Sequence, residues 1–206
     1  FNTAGSRIGE IERAIVKLGI DGLRSVLSAA VMQPIIQRES PYFSQTGQRL
    51  WQHSLACAVA CEVIGRRRNL DRFKVYLMGL VHDIGKITLF SELCKQFKLN
   101  GDNDIPGYNA FAPVMQKFSA NLSYLIARDW ELPDEICLGI KEQAGICADT
   151  NKAVSQHALL LCHANLACEV YAITPPDQRD KITFILEDLD LPLDLFQTLD
   201  NVSTEI

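Results

Sequence analysis

Residues 71–84 carry Phe73, Val75, Tyr76, Leu77, Met78, Leu80 and Val81, enough to cover a helix in apolar side chains on nearly every side. A helix that is hydrophobic all round has to be buried, so this one must run through the middle of a domain with other elements packed around it. It ends in His82 and Asp83, with Gly85 expected as its stop. An ionised Asp at the end of so apolar a helix needs a partner, because burying an unpaired carboxylate costs roughly several kcal/mol or more. A divalent metal would supply one, and imidazole and carboxylate ligands suit iron, manganese or zinc. Lys86, three residues after Asp83, could instead neutralise the carboxylate with no metal at all.

The other periodicities are helical too. Ile8, Ile11, Ile15 and Leu18 fall at helical spacing between Ser6, a candidate cap, and Gly19, a stop. Asp21 then precedes a second helix that runs toward Gln37 and sets Leu23, Val26, Leu27, Ala30 and Val31 on one face. After a loop at 41–47, a helix over about 49–66 lines up Leu50, His53, Cys57, Cys61 and Ile64 in one stripe, which turns His53 to the interior. Helical patterns also cover about 87–97, 113–130, 133–143 and 152–171, with two short acidic ones near 177–188 and 192–200. Residues 100–113, rich in Gly, Asn, Asp and Pro, read as a loop. With no credible run of alternating strands, no internal repeat and no low-complexity segment, the fold class is all-α.

Nearly half of the 206 residues are apolar and no composition break divides them, so the chain reads as a single domain. The balance of 20 Lys plus Arg against 25 Asp plus Glu argues against nucleic acid as a partner. The one dense basic cluster, Arg66–Arg68, reads as a solvated helix end whose cations complement the terminal carbonyls. Seven cysteines include no CxxC pair, and most lie in apolar helical patterns, which points to a reducing compartment and away from a zinc ribbon. No apolar stretch approaches the roughly 20 residues of a spanning helix, and no signal-peptide pattern opens the sequence. The expectation is a cytoplasmic chain with no membrane partner. Because it begins with Phe1 and not Met, we expect it to continue upstream.

His53, followed by the run Gly79-Leu80-Val81-His82-Asp83-Ile84-Gly85-Lys86, resembles the HD superfamily, with its spaced His and HDxGK signature. The opening Asn2-Thr3-Ala4-Gly5-Ser6-Arg7-Ile8, the Leu18-Gly19 helix end and the turn Trp130-Glu131-Leu132-Pro133 narrow the resemblance to the HDOD domain family, a relative of metal-dependent phosphohydrolases and HD-GYP domains. The resemblance covers about residues 1–170, leaving 171–206 as a C-terminal helical extension, and implies an HD-domain-like helical bundle whose upstream part is missing. It also implies a remnant metal site of His53, His82, Asp83 and Asn165, the last standing where the superfamily's distal Asp is expected. Ser119, Gln143 and Ala144 stand where catalytic relatives place further histidines. A neutral amide in place of a carboxylate weakens both metal affinity and the power to orient and deprotonate water.

These losses lead us to expect a non-catalytic signal-transduction domain that acts through a protein partner, with no cofactor and the 100–113 loop among its contact surfaces. Two alternatives stay open. One is a metal-dependent phosphohydrolase acting on a nucleotide or cyclic dinucleotide, with iron, manganese or zinc at the site, Asp83 among the ligands and Lys86 steadying phosphate charge. The other is a sensor that binds a nucleotide or anion in the remnant pocket without reaction. His157 and His163 read as satisfied core or surface histidines, Trp51 as a packing anchor, Trp130 as a helix-end plug, and Cys162 and Cys168 as small buried hydrophobes. No Gly-rich phosphate loop, nucleophile elbow or zincin motif is present. If the site is purely structural, Asp83 pairs with a neighbouring cation or His and not with metal.

Overall fold

Asp71 opens the central helix: its Oδ1 accepts the Lys74 N–H at 2.9 Å, satisfying one of the donors left free in a first helical turn. In the computed structural model, which describes residues 3–36, 44–99, 108–146 and 154–203, this helix is α3, Arg72–Val81. Val75, Tyr76, Met78, Gly79, Leu80 and Val81 are buried along it, as the all-round apolar pattern requires. Around it lie α1 (Thr3–Ile36), α2 (Ser44–Arg67), α6 (Asp134–Ile146) and α7 (Gln156–Ile173). Then α4 (Ile84–Leu99) and α5 (Ala112–Asp129) pack against each other, while the short α8 (Phe184–Asp188) and α9 (Leu195–Ser203) follow α7, with α9 resting on α2. Among the described residues there is no strand, and no helix is long and apolar enough to cross a membrane. The fold is all-α.

One core connects these helices. Met78 and Leu80 of α3, Ile64 of α2, Ile136 and Ile140 of α6, and Leu160 and Leu161 of α7 are among its largest fully buried side chains. Leu186, Leu195 and Leu199 join the same cluster, so the C-terminal segment is packed into the body of the molecule. There Arg179 stacks over the Tyr171 ring at 3.8 Å and pairs with Asp200, which also accepts the Tyr171 hydroxyl at 2.7 Å.

The boundary expected at Gly19 is present as a break within α1, at φ 68° and ψ −178°, a conformation essentially confined to glycine. Past that break the apolar face read from the sequence is not the face that the core covers. Ser25 and Met32 are buried and Ala29 packs on the core, whereas Val26, Leu27 and Val31 are more than half exposed. Small Ser25 and Ala29 let α1 sit on α3, and Arg24 covers the Phe73 ring at 4.1 Å. Trp130 also departs from expectation: it closes α5 through backbone bonds to Ile126 and Arg128, and its side chain is 38% exposed. Residues 44–47 of the expected 41–47 loop belong to α2, and 108–113 of the expected 100–113 loop are helical, with Phe111 edge-on to Phe90 and Phe97; the rest of both loops lies outside the described residues.

Gly85 is not the stop of α3. Val81 ends that helix, and Gly85 lies in the first turn of α4. What it supplies is space, since a Cβ there would come within 2.1 Å of the Ser119 carbonyl oxygen, and its N–H donates to Ser123 Oγ at 2.9 Å. Gly79 plays the same part between α3 and α2, where a Cβ would meet the Cys57 carbonyl oxygen at 2.6 Å and Ala58 Cα at 2.7 Å. Backbone cannot yield as a flexible side chain does, so an added methyl must push the two helices apart. Gly79→Ala is therefore expected to lower stability by about 3 kcal/mol. Gly19→Ala meets open space and is expected to cost about 2 kcal/mol through backbone strain alone. Urea unfolding checks both, and because only the first variant disturbs the core, only it should also alter near-ultraviolet circular dichroism.

Candidate metal centre

The Gly79 crossing brings the first turn below it into register with α2. His53 and Cys57 project from α2 one turn apart, His82 caps α3, Asp83 precedes α4, Lys86 lies in the first turn of α4, and Asn165 comes from α7. His53 Nε2 lies 2.9 Å and His82 Nε2 3.2 Å from Asn165 Oδ1. Asp83 Oδ2 is 3.7 Å from His53 Nε2, and Asp83 Oδ1 is 3.5 Å from His82 Nε2. Thus His53, His82, Asp83 and Asn165 stand together, drawn from α2, α7 and the turn that joins α3 to α4. Cys57 completes the cluster, its Sγ 3.5 Å from His53 Nε2 and 3.8 Å from Asn165 Oδ1. The sequence pattern set Cys57 on the His53 stripe, but its chemistry was legible only as that of a small hydrophobe; the i,i+4 spacing from a candidate ligand was the available signal.

Hydrogen bonds assign the orientation of each donor. His82 Nδ1 donates to the Gly79 carbonyl oxygen at 2.8 Å, so in the neutral ring Nε2 carries a lone pair. Asn165 Nδ2 donates to Glu169 Oε1 at 3.0 Å, which turns the amide oxygen toward the two imidazoles. A ring lone pair facing a carbonyl oxygen at 3.2 Å is repulsive unless a positive charge lies between them. A proton on His82 or a cation would meet that need, and nitrogen and oxygen donors converging this way fit a divalent metal. His53, His82, Asp83 and Asn165 are the residues that could hold it, with Cys57 in addition.

Asp83 is 6% exposed, and the closest cation to it is Lys86, whose Nζ donates to Oδ2 at 2.7 Å. Burial alone would raise the carboxyl pKa, but the charges of His82, Lys86 and His53 and the Lys86 hydrogen bond outweigh it and bring the pKa down to about 2. Burial and the neighbouring His82 push the His53 pKa below its usual value, and Lys86 is the cation that hydrogen-bonds Asp83 directly. Burial raises the Cys57 and Cys61 thiols well above the ordinary range, and Cys168 adds to both shifts, so a patch of three thiols backs the cluster.

Ser119 is buried beneath Gly85, while on α6 Gln143 is half-buried and Ala144 exposed. His157 sits in the first turn of α7. His163 lies near Arg68 and Asp190 with its pKa lowered by burial; the Leu189 backbone hydrogen-bonds its ring, while its Nδ1 is buried without a hydrogen-bond partner. Arg66 and Arg67 are exposed in the last turn of α2, as a solvated helix end should be.

The sign of each shift sets the acid response. Protonating His53 or His163 is disfavoured in the folded state, so stability is lost as pH falls below about 6.5. Asp83 contributes about 2 kcal/mol above its unfolded pKa of about 3.8, and that contribution is lost between there and about 2. Chelator-treated protein should therefore lose stability in two stages on acidification, as followed by urea unfolding from pH 7 to pH 2. Asp83→Ala should be weaker by about 2 kcal/mol at pH 7 and lack the second stage. An unchanged profile below pH 4 in that variant would contradict the assignment.

Residues 1–146 match the HDOD domain. His53, Cys57, His82, Asp83 and Lys86 lie within that stretch and Asn165 beyond it. The fold is similar to a crystal structure described as a putative phosphohydrolase from Shewanella amazonensis, with a TM-score of 0.61 at 17% identity, covering 93% of this chain and 72% of that one. Since the match spans most of the chain, and the spaced His and HDxGK elements meet in one cluster, the chain belongs to the HDOD domain family.

Proposed function

We propose that this chain is a regulatory HDOD module that signals through protein contacts and does not turn over a substrate. The observation that carries the reading is Asn165: the α7 side chain closing the cluster is a neutral amide, held in place by Glu169. Two further features support it. Asp83 is paired with Lys86, and Gln143 and Ala144 offer no imidazole on α6. The proposed compartment is the cytoplasm of a bacterium, a reading supported by six free thiols among the described residues, five of them buried. A protein partner would find the apolar outer side of α1, with Val16 and Ile20 about four-fifths exposed.

A metal at the cluster would supply a Lewis acid able to polarise a water or phosphate oxygen. The chain's own groups do little to use it. Lys86, the side chain that could steady phosphate charge, is engaged by Asp83. The phosphohydrolase named among the similar structures keeps the enzyme reading, on a nucleotide or cyclic dinucleotide, as the rival outcome of the test.

Generic phosphomonoester and phosphodiester substrates, with manganese, iron or zinc added, should show no hydrolysis above that of Asp83→Ala. Restoring a carboxylate with Asn165→Asp should tighten manganese binding about tenfold or more, read by calorimetry. Turnover by the unmodified protein that Asp83→Ala abolishes would overturn the proposal. Stabilisation of the protein by a nucleotide in a thermal-shift panel, without turnover, would replace it with the sensor reading.

A further inference from the structure

We propose that Cys57 is a thiolate ligand of the cluster, which makes it a mixed nitrogen, sulfur and oxygen site selective for zinc or a similarly soft divalent ion over manganese and magnesium. This goes beyond the regulatory reading and holds whether or not the domain has a substrate. Three observations converge on it.

The first is geometry. One ring nitrogen from each of His53 and His82 and the Sγ of Cys57 all lie within 4.8 Å of one another, so one ion can reach all three. Zinc bonds of about 2.05 Å to nitrogen and 2.3 Å to sulfur, at tetrahedral angles, separate the two donor atoms by about 3.5 Å. The His53 Nε2 to Cys57 Sγ distance is 3.5 Å. The fourth donor, Asn165 Oδ1, stands 3.8 Å from that sulfur and 2.9 and 3.2 Å from the two imidazole nitrogens, against about 3.4 Å for an ideal tetrahedral edge. These four edges lie within about 0.5 Å of the tetrahedral values, and the His82 edges to His53 and Cys57 are no longer than 4.8 Å.

The second is charge. His53, His82 and Asn165 are neutral donors, and the Asp83 carboxylate already has Lys86 at 2.7 Å. A dication held by neutral donors alone in a buried site is costly, and Cys57 is the group on the inner side that can contribute a full negative charge. Binding breaks the Sγ–H bond, forms the Sγ–metal bond and releases the proton to solvent. The third is ligand type: thiolate and imidazole together select zinc and softer ions, whereas magnesium and manganese favour carboxylate, carbonyl and water oxygens. Cys57 is also fixed in place, with no exposed surface and its backbone against Gly79.

Cobalt(II) is the probe, since it occupies zinc sites and a thiolate ligand gives it an intense charge-transfer absorption in the near ultraviolet. Titrating the purified chain with cobalt should produce that band at one equivalent, zinc should abolish it, and excess manganese should not. Cys57→Ser should lose the band and bind zinc about tenfold or more weakly, whereas Cys61→Ser and Cys168→Ser should keep it. X-ray absorption on the zinc-loaded unmodified protein needs no variant and should show one sulfur neighbour at about 2.3 Å with nitrogen or oxygen for the rest. A cobalt complex without the band, the same band in folded Cys57→Ser, manganese displacing cobalt as readily as zinc does, or a zinc spectrum with no sulfur neighbour would each overturn the proposal.

Discussion

The backbone contact between α2 and α3 at Gly79 governs the positions of everything around it. With a Cβ at Gly79 excluded by the Cys57 carbonyl oxygen and Ala58, the two helices approach as closely as polypeptide allows, and His53 and Cys57 come within reach of His82. The same glycine's carbonyl accepts His82 Nδ1–H and so chooses which ring nitrogen faces the cluster. Core packing and donor geometry are therefore one constraint here. A change that widened the crossing would loosen the core and draw the α2 donors away from the α3 donor together.

Burial then decides how charge is arranged. An almost fully buried carboxylate in a low-dielectric region has to be neutralised, and Lys86 does this from one turn away while its own stem keeps partial access to water. That pairing leaves the inner side of the cluster to neutral imidazole and amide donors. The chemistry still available there is set less by the HD pair than by what α2 and α7 place opposite it: a thiol and an amide oxygen. A cluster built this way has electrostatics that differ from those of one closed by carboxylates.

Much of the fold was legible because most of its determinants are local. The all-round apolar run of 73–81 implied a helix at the centre, the stripe through Leu50, His53 and Cys57 implied an inward-facing His53, and the break at Gly19 was signalled by the glycine itself. Other readings failed for a physical reason. Periodicity says which residues share a helix face, not which face a neighbour covers: Val26, Leu27 and Val31 share a face of α1, yet Ser25 and Met32 are the residues buried there. A glycine after an apolar helix has the same local signature whether it ends that helix or makes room for another, and Gly85 does the second.

The sequence by itself determined the interactions that close within a few residues: the helical periods, the break at Gly19 and the pairing of Asp83 with Lys86 one turn on. Only the tertiary structure decided that Asn165 meets His53 across 112 positions, that its oxygen faces the imidazoles because Glu169 holds its nitrogen, and that Cys57 is a potential ligand as well as core. The difference is one of range. Local hydrogen bonds and periodicities are written in neighbouring residues, whereas the meeting of α2, α3 and α7 depends on how closely their backbones pack, which no single segment specifies.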